Sequence, residues 1–360
     1  MELYLQFGYG MMEHCRQLIS DWGGGTVVLS PRDLDAEQLP RLANTVNALS
    51  NGSVILDPQF YLPHSDHERL CSHNYWPNEY DTNAFWQGSA LDLLLNRLNT
   101  LNVSLNSQSF VLPGLLAVNI DDSWLEVQSV ISDGARSISA GMPLLQTIAL
   151  SAEATGNQGQ ISDLIDAAEG WSVDGYYVVC EHPRGNYLVD DPGWLANVLD
   201  LCAGLRLLGK RVILGYCNHQ MLIAAAAKVD AICSGTWMNV RSFPPDKFRT
   251  AYDDEIRQRA TWYYCPQALS EYKIPSLDLA FRQGLIDSMA PPPELDNSYS
   301  EMLFNGTQPT TVVFNEPLAF RHFLPCLRHH ASERTQPNSK TYKHNHAALY
   351  NRPKKLTETV

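Results

Sequence analysis

Residues 211–241 read RVILGYCNHQMLIAAAAKVDAICSGTWMNVR, and residues 174–185, DGYYVVCEHPRG, precede them. An apolar run, Val212–Gly215, ends in Tyr216, Cys217, Asn218 and His219. A helix-forming run with four alanines follows. A second apolar run, Asp230–Cys233, then ends in Ser234, Thr236 and Trp237. Strand, polar tip, helix, strand, polar tip is the order of a parallel α/β fold, and the polar tips mark the rim where such folds keep their chemistry.

Working outward, the same unit recurs. Apolar runs at Leu3–Phe7, Thr26–Leu29, Val54–Leu56, Phe110–Leu112, Leu144–Leu150 and Tyr176–Cys180 predict six further strands. Helical spacing links them: Met11 to Trp22, Asp35–Leu49, Ser89–Leu98, Asp122–Ile138, Gln160–Ala168 and Trp194–Leu208. Eight βα units in about 240 residues predict a (β/α)8 TIM barrel. No G-x-G-x-x-G follows the first strand, which argues against an open doubly wound sheet. A polar insertion at about 62–88 follows the third strand. A helix at Ser276–Met289 is expected to close the barrel, giving a catalytic domain over 1–290 and an irregular C-terminal extension over 291–360.

The formal net charge is −13, but it is unevenly placed. Residues 1–320 carry −19; residues 321–360 carry +6 and five of the eleven histidines. A basic tail on an acidic body suggests a polyanion partner, and the alternative is a solvated terminus. The eight cysteines include no C-x-x-C, and several lie inside strand or helix patterns. That predicts buried thiols in a reducing cytoplasm. No window is long and apolar enough to span a bilayer, and MELYLQFGYG lacks the features of a signal peptide, so no membrane partner is expected.

Polar residues just after barrel strands converge on one face. Asp57, Glu181 and Asp33 are the carboxylates this rule selects as catalytic candidates. Tyr9, Arg32, Gln59, Tyr61, His182 and Arg184 are candidate substrate contacts from the earlier strands. Asn218, His219, Cys233, Trp237, Asn239 and Arg241 are the later ones. Acids, bases and aromatics on one rim suit a flat, hydrogen-bonding ligand such as a nucleobase. Aromatics of the insertion (Tyr75, Trp76, Tyr80, Phe85, Trp86) are candidate stacking faces for a sugar. His64, Asp66, His67, Cys71 and His73 are metal-ligand types without regular spacing, and no metal or other cofactor is expected.

Several segments resemble the tRNA-guanine transglycosylase superfamily, including its DNA-modifying branch. VILDPQFY (54–61) is similar to the family's strand ending in D-S-G-G-F-Q, and DGYYVVCE to its D-G-Y-A-I-G-G segment. Residues 211–215 and 222–229 resemble R-Y-L-M-G followed by L-x-x-A-V; residues 230–241 resemble D-M-F-D-C-x-x-P-T-R. The resemblance implies that Asp57 grips the base. It places Cys233 where the family has its nucleophilic aspartate, and near Cys265-Pro266 it lacks the C-x-C-x-x-C zinc ligands. Base excision is therefore expected in place of base exchange. The expected protein is a DNA glycosylase that cleaves the N-glycosidic bond of a flipped-out modified base and leaves an abasic site. Glucosylated hydroxymethylcytosine in phage DNA is the expected substrate, and anti-phage defence the expected role. Arg32, Arg184, Arg241 and the basic tail would hold phosphates. The rivals are a transglycosylase inserting a 7-deazaguanine, a small-molecule nucleoside or glycoside hydrolase, and a non-catalytic binder of modified DNA. The sequence leaves the oligomeric state open.

Overall fold

A computed structural model describes residues 1–77, 84–139, 141–250 and 260–333. Eight parallel strands close into a barrel in sequence order. They are β1 (Glu2–Gln6), β2 (Gly25–Leu29), β3 (Gly52–Leu56), β4 (Phe110–Val111), β5 (Leu144–Leu150), β6 (Gly175–Cys180), β7 (Arg211–Leu214) and β8 (Ala231–Ser234). Closure is made by β1 against β8, with Leu3 opposite Ile232 and Leu5 opposite Ser234. Every residue of β5 and β6 is buried, as expected of strands covered on both faces. The (β/α)8 barrel is therefore the fold.

Seven elements cover the barrel between strands, chiefly α1 (Met12–Asp21), α2 (Gln38–Asn47), α4 (Gly88–Ser104), α5 (Asp122–Ile138), α7 (Gln158–Ala168) and α8 (Pro192–Leu207). Two short helices, α3 (Glu68–Cys71) and α6 (Ala152–Gly156), sit in the loops after β3 and β5. Local sequence sets their starts. Asp121 accepts from Trp124 N at 2.9 Å to cap α5, and Asp191 from Trp194 N at 3.0 Å to cap α8. Such caps stabilise a helix by about 1 kcal/mol. The alanine run after β7 forms a 3-10 segment, His219–Ala227, where an ordinary helix was expected. Asn218 caps it, and Lys228 ends it in the left-handed region at φ 56.

The eighth helix is not the expected one. The segment at Ser276–Met289 contributes α9 (Ile274–Arg282), whose Ile274 and Leu277 pack into a second small core with Tyr263, Leu303 and Phe314. An antiparallel hairpin, β9 (Trp262–Cys265) and β10 (Ser270–Lys273), belongs to the same excursion. The barrel is closed by α10 (Glu316–Glu333), which packs on β1 and α1 and puts Phe323, Leu324 and Leu327 into the main core. The stretch assigned to a C-terminal extension from Pro291 thus contains a barrel helix. Helical periodicity shows that a face is buried but not against which neighbour.

The helix α10 runs from one rim of the barrel to the other. Its first turns meet the rim at the strand C-termini, where Phe320 packs on Trp237 with ring centroids 4.9 Å apart. Its last turns lie at the other end, where Arg328 sits 4.6 Å above the ring of Trp22, just past α1. Residues 334–360 of the basic tail, and Tyr80 of the insertion, lie outside the described residues. The helix α10 therefore ends at the rim opposite the barrel mouth.

Candidate active site at the barrel mouth

The site is built on the turn after β3. Asp57 N–H still pairs with Leu29 O at 3.2 Å, so Asp57 leaves the strand with its carboxyl fixed by the barrel. Gln59 then adopts φ 52, and its N–H turns back onto Asp57 Oδ1 at 2.9 Å. Two residues later Tyr61 OH meets both carboxyl oxygens at 2.8 Å. From across the barrel, Tyr216 OH donates to Oδ2 at 3.0 Å, and Tyr177 OH lies 3.3 Å from the same atom. Gly215 makes this possible: a Cβ there would stand 2.7 Å from the Tyr177 hydroxyl.

Asp57 is fully buried. Burial pushes its pKa up; the bonds from Tyr61, Gln59 and Tyr216 and the charge of Lys247 only partly oppose it. Tyr61, Tyr177 and Tyr216 are each pushed well above the ordinary phenol value, first by burial and then by Asp57, so they remain hydrogen-bond donors. Two ligands of Asp57, Gln59 and Tyr216, hold left-handed backbone at φ 52 and φ 55. Such strain amounts to roughly 1–3 kcal/mol per residue and persists only where surrounding structure over-determines it.

A cap formed after β8 covers this cluster. Phe243 packs edge-on to Tyr61 with centroids 5.0 Å apart, and Phe248 packs on Tyr61 at 5.1 Å. Lys247 is buried with Nζ 4.0 Å from the Tyr216 ring centre. The cap is latched through its backbone: Arg32 Nε donates to Lys247 O at 2.6 Å, and Ser65 Oγ donates to Phe248 O. On the outer side of the cap lies an open cleft of about 370 Å³. Pro245, Asp246 and Arg249 of the cap region line it, opposite Glu153 and Glu181. Glu181 is partly buried and accepts from Ala152 N at 3.1 Å. Burial raises its pKa, the Ala152 N–H opposes this, and the charges of Asp246 and Glu153 add to the rise.

Of the residues singled out in the sequence, Asp57, Gln59 and Tyr61 meet in one cluster, and Glu181 lines the cleft. Most of the others are tied to internal partners. Asp33 receives Ser30 Oγ at 2.8 Å and pairs with Arg32 at 3.1 Å. Arg241 is buried against Glu271 at 2.7 Å and lies 3.6 Å over the Phe323 ring, so it does not face a phosphate. His219 stands 3.5 Å from the same Glu271. Burial pushes Glu271 up, but Arg241 and bonds from His219 and Tyr187 outweigh it and hold it at about 2. His182 is buried and bonds the Asn186 carbonyl at 3.0 Å; Arg184 is exposed and paired to Asp190. Asn218 caps its 3-10 segment and donates to Tyr187 O at 2.6 Å. Tyr9 is 75% exposed, with its carbonyl receiving Trp237 Nε1 at 3.0 Å, and the Asn239 carbonyl receives Lys247 Nζ at 2.7 Å. Cys233 is a fully buried thiol whose pKa burial raises well above the ordinary value.

Tyr75, Trp76 and Phe85 of the insertion are core, and Trp86 is partly buried against it. Trp76 and Phe85 both pack on Phe60, at 4.8 and 4.9 Å, and Tyr75 OH donates to Pro58 O at 2.7 Å. They brace the Asp57 turn from below and offer no sugar platform. Sequence reasoning missed Gln6, Tyr177, Tyr216 and Lys247 as site residues. The visible signal was a hydroxyl or amide inside an otherwise apolar strand (Gln6, Tyr177), or directly after a strand-end glycine (Tyr216).

No family model matches the chain, and no curated protein matches it. Among solved structures, one described as CbXyn10B in native form aligns with a TM-score of 0.41 and 9% identity, over 68% of this chain and 88% of that one. A mutant structure in complex with xylotriose aligns with a TM-score of 0.40 and 9% identity, over 64% of this chain and 84% of that one. At this level the likeness says nothing about chemistry; the barrel itself is established by its closed strand order.

Proposed function

We propose that the chain is a hydrolytic N-glycosylase of the tRNA-guanine transglycosylase type. Its substrate is a modified base flipped out of DNA, with glucosylated hydroxymethylcytosine of phage DNA as the specific expectation and anti-phage defence as the role. The observation that carries this reading is Asp57. It is a buried carboxyl whose proton affinity is raised, and it is fixed by Gln59, Tyr61 and Tyr216 at the position where the family resemblance puts the base-gripping acid.

In this reading the C1′–N bond breaks with its electron pair going to the base, and Asp57 supplies the proton that the departing base takes up. Water adds to C1′ from the cleft side and gives its proton to Glu181. The products are the free base and an abasic sugar. Cys233 takes no covalent part, because a buried thiol of raised pKa carries no nucleophilic charge. The Phe243–Phe248 cap must swing away first, because Asp57 and its tyrosines are otherwise sealed from a base. The same movement would open that cluster toward the Glu181 cleft, which Pro245 and Asp246 of the cap line.

A second reading is favoured by one observation. Glu153, Glu181 and Asp246 give the open cleft an acidic lining with Arg249 as its cation, while Arg32 and Arg241 are committed to internal partners. That lining suits an uncharged nucleoside or glycoside better than a polyphosphate. The two readings separate in one experiment: incubation with unmodified, hydroxymethylated and glucosylated DNA, and in parallel with free nucleosides, scoring released base and abasic sites. Abasic sites confined to glucosylated DNA, and lost in Asp57→Asn, support the glycosylase. Turnover of free nucleosides alone transfers the reaction to the second reading, and no release from any substrate removes both.

A further inference from the structure

Gln6 is the polar residue at the end of β1 that the mechanism above does not use. Its side chain reaches into the barrel, where Oε1 lies 3.1 Å from Tyr177 OH. The same hydroxyl lies 3.3 Å from Asp57 Oδ2. A phenol has one proton, so it cannot donate fully to both. Gln6 Nε2 is fully buried and has no partner among the described residues. A buried amide nitrogen left unbonded is destabilising, and each such case calls for an explanation.

Counting protons gives two consistent arrangements. In the first, Tyr177 donates to Gln6 Oε1. Its oxygen is then free to accept, and Asp57 must carry a proton on Oδ2 to donate to it. In the second, the Gln6 amide is turned over, Nε2 donates to the Tyr177 oxygen, and Tyr177 donates to an ionised Asp57. The two amide orientations differ only by a rotation of the terminal group. Each leaves one Gln6 atom unbonded, the donor in the acid form and the acceptor in the carboxylate form.

We infer that Gln6 is a positioning residue which, through Tyr177, holds the proton on Asp57 and releases it by turning its amide. The inference rests on Asp57 as the proton donor of the proposed reaction, but the relay is a property of the resting protein. The other groups facing Asp57 do not compete for this role. Tyr61 and Tyr216 donate to it from the loops after β3 and β7, Lys247 of the cap donates to the Asn239 carbonyl and lowers the proton affinity of Asp57, Tyr75 donates to the Pro58 carbonyl, and the thiol of Cys233 on β8 stays neutral. Tyr177 differs from Tyr61 and Tyr216 in having an amide oxygen as its second acceptor.

Gln6→Leu removes the competing acceptor. Tyr177 then gives its proton to Asp57 and favours the carboxylate. Gln6→Glu keeps an acceptor and adds a like charge, which favours the acid. Infrared difference spectra against Asp57→Asn isolate the acid carbonyl band of Asp57 and follow its loss with pH, without substrate. The expected result is a band lost about one pH unit lower in Gln6→Leu, a tenfold change in proton affinity, and lost at higher pH in Gln6→Glu. A residue that merely fills space would not move the titration in opposite directions. An unmoved or raised titration in Gln6→Leu overturns the relay; Gln6→Met stands in if Gln6→Leu does not fold. Because the readout needs no turnover, a relay that titrates as expected in a protein without glycosylase activity refutes only the functional reading.

Discussion

Replacing Tyr61 by Phe removes the hydroxyl that bonds both oxygens of Asp57 at 2.8 Å, while keeping the ring against Phe243 and Phe248. The expected loss of stability depends on pH. While Asp57 is neutral, one buried neutral hydrogen bond disappears, about 1 kcal/mol. Once Asp57 is ionised, the lost bond is one to a carboxylate, about 1.5–3 kcal/mol. The difference, roughly 0.5–2 kcal/mol, must appear as a further upward displacement of the Asp57 titration, by about one pH unit for each 1.4 kcal/mol. The sign follows from burial. The folded protein already holds the Asp57 proton more tightly than the unfolded chain. Its stabilising contribution is therefore full below the unfolded carboxyl value and lost as pH rises toward the folded one. Tyr61→Phe extends that loss to higher pH. Urea unfolding of wild type, Tyr61→Phe, Asp57→Asn and the double variant, at intervals from acid to neutral pH, measures the effect. The Tyr61→Phe penalty should grow with pH when Asp57 is present and stay flat in the Asp57→Asn background. A penalty independent of pH in both would refute the hydrogen-bonded Asp57 cluster as described.

Breaking the buried pair of Arg241 and Glu271 by Glu271→Gln should destabilise by about 3–5 kcal/mol in thermal melts at neutral pH, because a buried guanidinium is left uncompensated. The wild-type contribution of Glu271 is present above the unfolded carboxyl value and lost as pH falls toward about 2, so the difference between the two proteins should shrink in acid. Trp76→Ala should cost about 3–5 kcal/mol of stability by opening a cavity under Phe60, with denaturant midpoints as the measure; loss of substrate affinity at unchanged stability would restore the insertion as a sugar platform. Cys233→Ala should leave base release within a few-fold of wild type, and iodoacetamide should fail to label Cys233 in the native protein; a dead variant would reinstate a covalent role. In the base-release assay Glu181→Gln should lower the rate by about 10²–10⁴, and an unaltered rate would remove Glu181 from the mechanism.

The barrel was legible because its cause is local. Val54–Leu56, Leu144–Leu150 and Tyr176–Cys180 are apolar runs of strand length bounded by turn residues, and a parallel strand buried on both faces admits little else. Asp57, Gln59 and Tyr61 were legible together for the same reason: they follow one strand and share one turn. The closing helix was misplaced because α9 and α10 are both amphipathic, and amphipathicity carries no address. Arg32 and Arg241 were misassigned because a sequence shows a charge but not its partner. Arg241 meets Glu271 30 residues later, and Arg32 meets the Lys247 carbonyl 215 residues away.

By itself, then, the sequence determined the strands, the rim and the carboxyl at the end of β3, since these depend on residue type and short-range spacing. Tertiary structure alone decided the state of that carboxyl. Its burial comes from a cap more than 180 residues away, and the hydroxyls that surround it, of Tyr61, Tyr177 and Tyr216, come from three separate strands or strand ends. Proton affinity depends on the summed field and solvation of groups brought together in space, and the sequence lists those groups without their distances.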